Sequence, residues 1–174
     1  GWDRKKNTWG KEISHKTTLF QISKFGFRGN KKFKKKCIPV FGDSFAFCRY
    51  VNDEETWEEY LEKRVNFKIF NFGVGNYGLD QSFLKYLRYE KKFSNKIVIF
   101  NVVPETIARI HSIWKHYREF GNTYAFKPVF DFNHRNMKLI KIKIGINSTE
   151  KKIHNEIKKI KKNDIFYKKK FRKN

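Results

Sequence analysis

The hydrophobic positions of this chain follow two alternating patterns between residues 37 and 120. Short, continuous apolar runs indicate strands buried on both faces, and between them apolar residues recur at helical spacing, which indicates amphipathic helices. The predicted strands are 37–41, 68–72 and 96–103. The predicted helices are 54–64, 79–92 and 105–120. A strand–helix order repeated three times predicts right-handed β-α-β units on a parallel sheet, and therefore an α/β fold.

The C-terminal part of the chain follows a different pattern. Residues 126–132 and 139–144 alternate weakly around a polar turn at 133–136, which predicts a β-hairpin. Residues 147–150, Asn-Ser-Thr-Glu, have the composition of a helix cap and predict a basic helix that continues to about Lys162. The first three of these residues also match a glycosylation sequon, but helix capping explains them without a modification.

The length of 174 residues suits one domain with a buried core. The 19 Phe, 8 Tyr and 4 Trp exclude an intrinsically disordered chain. We expect a basic, irregular segment at 1–36, an α/β core at 37–122, and a hairpin with a Lys-rich helix and tail at 123–174. With only Cys37 and Cys48, the chain is not a disulfide scaffold, and no Cys/His spacing suits a structural zinc site. No motif implies a metal or an organic cofactor.

The apolar runs are too short for a membrane-spanning helix, which needs about 18 consecutive apolar residues. We therefore predict no transmembrane segment. The N-terminus does not resemble a signal peptide, which favours a cytoplasmic location by default. The chain begins with Gly1 rather than Met, so a truncated or processed leader stays an open alternative.

The net charge of +23 comes from the two ends of the chain. Residues 37–110 hold ten Lys and Arg against ten Asp and Glu, whereas five of the six residues 31–36 are lysines and residues 151–174 hold eleven Lys and Arg. Lysine outnumbers arginine 31 to 9. Base recognition and bidentate phosphate binding favour arginine, so this surplus indicates compositional bias rather than a nucleic-acid surface.

Asp43 and Ser44 stand immediately after the first predicted strand. In a parallel sheet the reactive loops lie at the carboxyl ends of the strands. A serine at such a junction can present its hydroxyl as a nucleophile while its own amide donates to an oxyanion. A serine that only caps a turn is the structural alternative, because a Gly-Asp-Ser triplet alone is weak evidence.

Two sequence blocks occur together here. The first is Gly42-Asp43-Ser44-Phe45, followed by Asp53-Glu54-Glu55-Thr56-Trp57, and the second is Asn71-Phe72-Gly73-Val74-Gly75-Asn76-Tyr77-Gly78-Leu79-Asp80-Gln81. At this spacing they resemble the first two blocks of the SGNH (GDSL) hydrolase family, over about residues 26–130 and most strongly over 38–81. The resemblance implies a flavodoxin-like three-layer α/β/α fold and an enzyme that cleaves or transfers acyl groups of lipids, thioesters and carbohydrates. It implies Ser44 as the nucleophile, with its amide as one oxyanion donor.

At the other two oxyanion-donor positions of that family, this chain has different residues. The second-block glycine falls on Asn76, beside Gly75, and Asn tolerates a positive φ better than most residues. The third-block asparagine falls on Pro104, which has neither an N–H nor a side-chain amide. Loss of one such donor costs roughly 10²- to 10³-fold in rate in other hydrolases. Thr106 and Asn101 are the nearby side chains that offer a substitute.

The family's catalytic base is a histidine three residues after an aspartate, near the C-terminal end of the domain. Asp131 and His134 have that spacing, but only three sheet strands precede them and a hairpin follows, so a turn residue is the structural alternative for His134. We expect solvated surface positions for His15, His111, His116 and His154.

The last strands of the family's sheet, with their catalytic Asp and His, are not recognisable, and two accounts of this stay open. The chain is the N-terminal part of a longer SGNH-like protein, or it is a complete but degenerate domain. The first functional hypothesis is a serine esterase or acyltransferase that acts on a small-molecule or polysaccharide ester through a Ser44 acyl-enzyme. The alternatives are an inactive SGNH-like binding or assembly module, and a basic protein that binds nucleic acid or an anionic membrane through its Lys-rich ends.

Overall fold

The structure is a computed structural model that describes residues 2–3, 8–9, 18–94, 96–114, 126–133, 136–144 and 147–167. At the N-terminus, strands β1 (Trp2–Asp3) and β2 (Thr8–Trp9) form a short antiparallel pair. Within these ranges no helix is long and apolar enough to cross a membrane.

A three-stranded parallel sheet forms the centre of the fold. Its strands are β3 (Ile38–Phe41), β4 (Ile69–Asn71) and β5 (Ile99–Phe100), in the spatial order β4-β3-β5. The prediction of an α/β fold with a parallel sheet is confirmed. The third strand is shorter than the apolar run that predicted it, because the chain leaves the ladder after Phe100 and turns into a helix at Pro104.

Helices alternate with these strands, as the sequence pattern predicts. They are α1 (Ser44–Phe47), α2 (Trp57–Val65), α3 (Leu79–Tyr89), α4 (Pro104–Ile110) and α5 (Glu150–Asn163). A short 3₁₀ turn precedes α2 at Asp53–Glu55. Two others follow α3 at Glu90–Lys92 and α5 at Ile165–Tyr167.

The expected third helix, 105–120, is wrong in its length, because α4 ends at Ile110. The amides of Ile113 and Trp114 donate to the buried carboxylate Oδ2 of Asp164, at 2.7 and 3.0 Å, instead of to carbonyls of a continuing helix. Trp114 then pairs with Phe126 in an isolated antiparallel bridge. The expected helical residues 115–120 lie outside the described residues.

Helices cover both faces of the sheet because each strand is apolar on both sides. One face is aromatic: Phe41, Phe70 and Phe72 pack there with Tyr86 and Tyr89 of α3. The opposite face is aliphatic, and its core residues pack against α2. They are Ile38, Val40, Ala46 and Ile69, with Trp57 and Leu61 from the helix.

The segment before the first core strand contributes to this core. Phe27 is fully buried, and the backbone N–H of Arg28 donates to the carbonyl of Asn71 at 2.7 Å, along the free edge of β4. The Arg28 side chain is 1% exposed and forms an ion pair with Asp53, 2.7 Å from Nε to Oδ1. The sequence shows no periodicity there that predicts this packing.

The C-terminal part contains a hairpin and a basic helix, as predicted, but the second hairpin strand runs over 136–140 instead of the predicted 139–144, and residues 133 and 136 of the predicted turn lie in the strands. Strands β6 (Val129–Asn133) and β7 (Asn136–Ile140) pair antiparallel, and Val129 packs with Ile160 of α5 and with Ile113. Before β6, the ammonium of Lys127 forms an ion pair with the buried carboxylate of Asp80 at the start of α3. This contact joins the hairpin to the α/β core.

Candidate functional site at the carboxyl edge of the sheet

Ser44 is the first residue of α1 and follows the central strand β3 after only two residues. The preceding Asp43 is the N-cap, and its Oδ1 accepts the N–H of Phe45 at 3.0 Å. Gly42 is required for close packing: a Cβ there would lie 2.7 Å from that of Ala46 and 2.8 Å from that of Asn101. The turn therefore leaves the Ser44 side chain partly exposed at the carboxyl edge of the sheet.

The loop that follows β4 is held against this turn. The N–H of Val74 donates to the carbonyl of Gly42 at 3.0 Å. The Nη1 atom of Arg109, in α4, lies 3.2 Å from Oδ2 of Asp43 and 3.0 Å from the carbonyl oxygen of Tyr77. The second loop is thus held at Val74 and at Tyr77, on either side of residues 75 and 76. Three consecutive loops thus meet beside Ser44.

Gly75 and Asn76 occupy the exposed tip of this second loop. Asn76 has φ of +66°, in the left-handed region that Asn tolerates, whereas Gly75 has no positive φ. Within the described part of the chain, the N–H groups of Ser44, Gly75 and Asn76 have no acceptor.

The third loop decides between the two expected substitutes for the missing side-chain donor. The Thr106 hydroxyl is buried and donates to the carbonyl of Val103 at 2.6 Å, so it only caps α4, whose first residue is Pro104. Asn101 packs directly against Gly42, and its amide oxygen is buried without a partner among the described residues. Asn101 thus lies beside the Ser44 turn, whereas the Thr106 hydroxyl is used within its own helix cap.

The structure places no histidine beside Ser44 among the described residues. Asp131 lies in β6, paired in register with Lys138, while His134 lies outside the described residues, as do His15 and His116. His111, at the end of α4, and His154, in α5, are both exposed. The Ser44 hydroxyl itself has no hydrogen-bonded base in the part of the chain that the structure describes.

A cavity of about 390 Å³ opens beside the Ser44 side chain. Its walls are mostly apolar, and they come from α1 and from the segment that leads to α2. The lining residues are Ser44, Phe45, Cys48, Arg49, Tyr50, Val51, Glu55 and Trp57. This volume is within the usual range for small-molecule sites, so a small acyl group or one sugar ring can be accommodated next to the hydroxyl.

A buried carboxylic acid lies behind this cavity. Glu58 is 1% exposed, and its Oε1 has no partner among the described residues, while Oε2 lies 3.5 Å from the Sγ of Cys48. Burial raises the pKa of Glu58 to about 7 and that of the Cys48 thiol to about 11. Sequence reasoning missed Glu58, because it is one of several acids at the start of a helix and no local signal marks it.

A larger, apolar cavity of about 530 Å³ lies between α3, α4 and the hairpin, and Ser44 does not line it. No group of three or more His, Cys, Asp and Glu side chains suited to a metal ion is present in the described ranges.

No protein-family model matches the chain, and neither the curated proteins nor the solved structures contain a match.

Proposed function

We propose that the chain carries an SGNH-type serine acyl-transfer site, in which Ser44 attacks an ester of a carbohydrate or a lipid. The observation that supports this proposal best is the joining of the Ser44 turn to the loop that contains Asn76. Arg109 contacts both Asp43 and Tyr77, and Val74 binds Gly42. The strand order β4-β3-β5 also agrees with the start of a flavodoxin-like sheet.

In the proposed reaction, Oγ of Ser44 attacks the ester carbonyl carbon and forms a tetrahedral intermediate. The unpaired N–H groups of Ser44 and Asn76, with the side-chain amide of Asn101 as a third donor, stabilise its oxyanion. Collapse of the intermediate breaks the bond to the leaving alcohol and leaves an acyl-enzyme. Water then releases the acyl group as an acid, or a second alcohol accepts it as a new ester.

Proton transfer in this scheme needs a base that takes the Oγ proton and returns it to the leaving alcohol. We assign that role to His134, three residues after Asp131, on the spacing that the family resemblance implies. Asp43 is not a candidate for the base, because its carboxylate is fully buried, ion-paired with Arg109 and turned toward the N–H of Phe45. Asp43 instead positions the Ser44 turn.

Labelling of the full chain with a fluorophosphonate probe, read by mass spectrometry, tests the nucleophile. We expect one adduct, on Ser44, which is lost in Ser44→Ala and kept in Ser94→Ala, a variant of an exposed serine outside the site. In His134→Ala the adduct should form more slowly, with loss of the pH dependence that the imidazole gives. Absence of an adduct on Ser44 at every pH would falsify the proposal.

One observation favours a second function, an inactive SGNH-like module that binds glycans or assembles with a partner. The Ser44 hydroxyl has no hydrogen-bonded base among the described residues, and a serine without a base is a weak nucleophile. This alternative predicts no probe adduct, together with binding of an acetylated oligosaccharide that Ser44→Ala leaves unchanged. A probe adduct on Ser44 rules it out.

A further inference from the structure

A cavity of about 230 Å³ with both polar and apolar walls is lined by α3 and by Tyr77, which belongs to the loop that contains Asn76. Its lining includes Tyr77, Gln81, Lys85, Arg88 and Tyr89, together with Pro128 from the segment before the hairpin. Two of these side chains are cationic, and no Asp or Glu lines the cavity. In the described structure, therefore, its walls carry positive charge without a counterion.

Lys85 is the more unusual of the two cations. Its Nζ donates to the carbonyl oxygens of Gly26 and Phe72, both at 2.9 Å, and it has no carboxylate partner among the described residues. An ammonium group has three donors, so one N–H is left for a ligand. Burial, together with the nearby charge of Arg88, lowers the pKa of Lys85 to about 8. A lysine placed in this way is stabilised as a cation when an anion binds beside it.

Arg88 lies three residues further along α3, on the same face of the helix as Lys85. It is exposed, and it forms no ion pair within the described residues. Its guanidinium is a planar fork of donors that matches the two oxygens of a carboxylate or a phosphate. Gln81 adds a further donor, because its Oε1 accepts the N–H of Gly78 at 3.1 Å and leaves the amide NH₂ unused by that contact.

We propose that the Lys85–Arg88 cavity binds a small oxyanion, either free or as the phosphate or carboxylate substituent of a larger ligand. The Arg88 fork binds two oxygens of the anion, and the third N–H of Lys85 binds from the cavity wall. An anion in this position also removes the repulsion between the two cations. The site does not depend on chemistry at Ser44, although both sites border the loop that contains Tyr77.

Titration of the full ¹⁵N-labelled chain with inorganic phosphate, and separately with glucuronate, tests this proposal at constant ionic strength. We expect saturable shifts at the amides of Tyr77, Gln81, Arg88 and Tyr89. The stronger of the two ligands indicates which substituent the cavity prefers. Arg88→Gln should weaken binding roughly tenfold or more, since the bidentate pair is lost. Arg88→Lys should lie between Arg88→Gln and the parent chain, because the charge is kept without the fork.

The matched control is Arg64→Gln, which removes another exposed arginine, in the last turn of α2. This variant should bind phosphate and glucuronate as the parent chain does. That result distinguishes a specific site from a general attraction of anions to a basic protein. Ser44→Ala should also bind normally, so failure here is distinct from failure of the proposed reaction. Shifts spread over all basic surfaces, equal losses in both arginine variants, or no saturable shift with either ligand would overturn the proposal.

Discussion

Arg109 and Asp43 form an ion pair at the carboxyl edge of the sheet, with 3.2 Å between Nη1 and Oδ2. The Asp43 side chain is fully buried, and that of Arg109 is 15% exposed. Because Nη1 also donates to the carbonyl of Tyr77, this one side chain of α4 joins the loops that follow β3 and β4. The pair therefore stabilises the arrangement on which the proposed site depends.

Asp43→Asn should lower the free energy of unfolding by about 3 kcal/mol, because it leaves the largely buried Arg109 guanidinium without its counterion. An asparagine oxygen can still accept the N–H of Phe45 at the start of α1. The lost stability therefore comes mainly from the ion pair and less from the helix cap. Urea denaturation of the parent and variant chains measures the difference.

The control for this pair is a double-mutant cycle with Arg109→Met. The double variant Asp43→Asn/Arg109→Met should lose less than the sum of the two single variants, since neither partner is then left as an unpaired buried charge. Additive losses would show that the two side chains are not coupled.

Gly73→Ala should destabilise the protein by about 2 kcal/mol through overpacking. A Cβ at Gly73 would lie 2.6 Å from the backbone N of Phe47 and 2.9 Å from the carbonyl carbon of Ala46, so the second loop must move away from α1. Thermal unfolding followed by circular dichroism measures the loss.

Gly75→Ala is the matched control, two residues along the same loop. Its added Cβ would meet nothing within 4 Å, and the residue has no positive φ. Its effect should stay within about 0.5 kcal/mol. The idea that Gly73 is required by close packing fails if the two alanine variants are equally stable.

Glu58 should make the stability of the protein depend on pH near neutrality. Its pKa rises from an ordinary 4.5 to about 7 in the folded chain, so the folded state favours the protonated acid. The stabilisation of the folded state by protonated Glu58 is complete below about pH 4.5 and is lost as the pH rises through about 7. The total loss is about 3 kcal/mol.

Glu58→Gln removes this titration while it keeps the shape of the side chain. We expect the variant to gain stability relative to the parent chain as the pH rises from about 5 to about 8, measured by urea denaturation at each pH. A stability difference that is the same at all these pH values would contradict the shifted pKa of Glu58.

The strands were predictable because they are buried on both faces, which makes each of them a continuous apolar run. The position of Ser44 after β3 was predictable for the same reason, since the run at 37–41 ends at Gly42. The end of α4 was not, because Ile113 and Trp114 are apolar at helical spacing but pack with residues of the hairpin and α5. Their amides bind Asp164, about fifty residues away, and no local pattern contains that partner.

The sequence by itself determined the order of strands and helices, and hence which residues follow each strand, because apolar periodicity is a local property of the chain. Only the tertiary structure decided the environments of the charged side chains. Arg28, Glu58, Lys85 and Arg109 appear in the sequence as ordinary surface residues. Their roles depend on carbonyls, carboxylates and cavities formed by distant segments, and burial in a packed interior determines which of these charges are paired and which are left for a ligand.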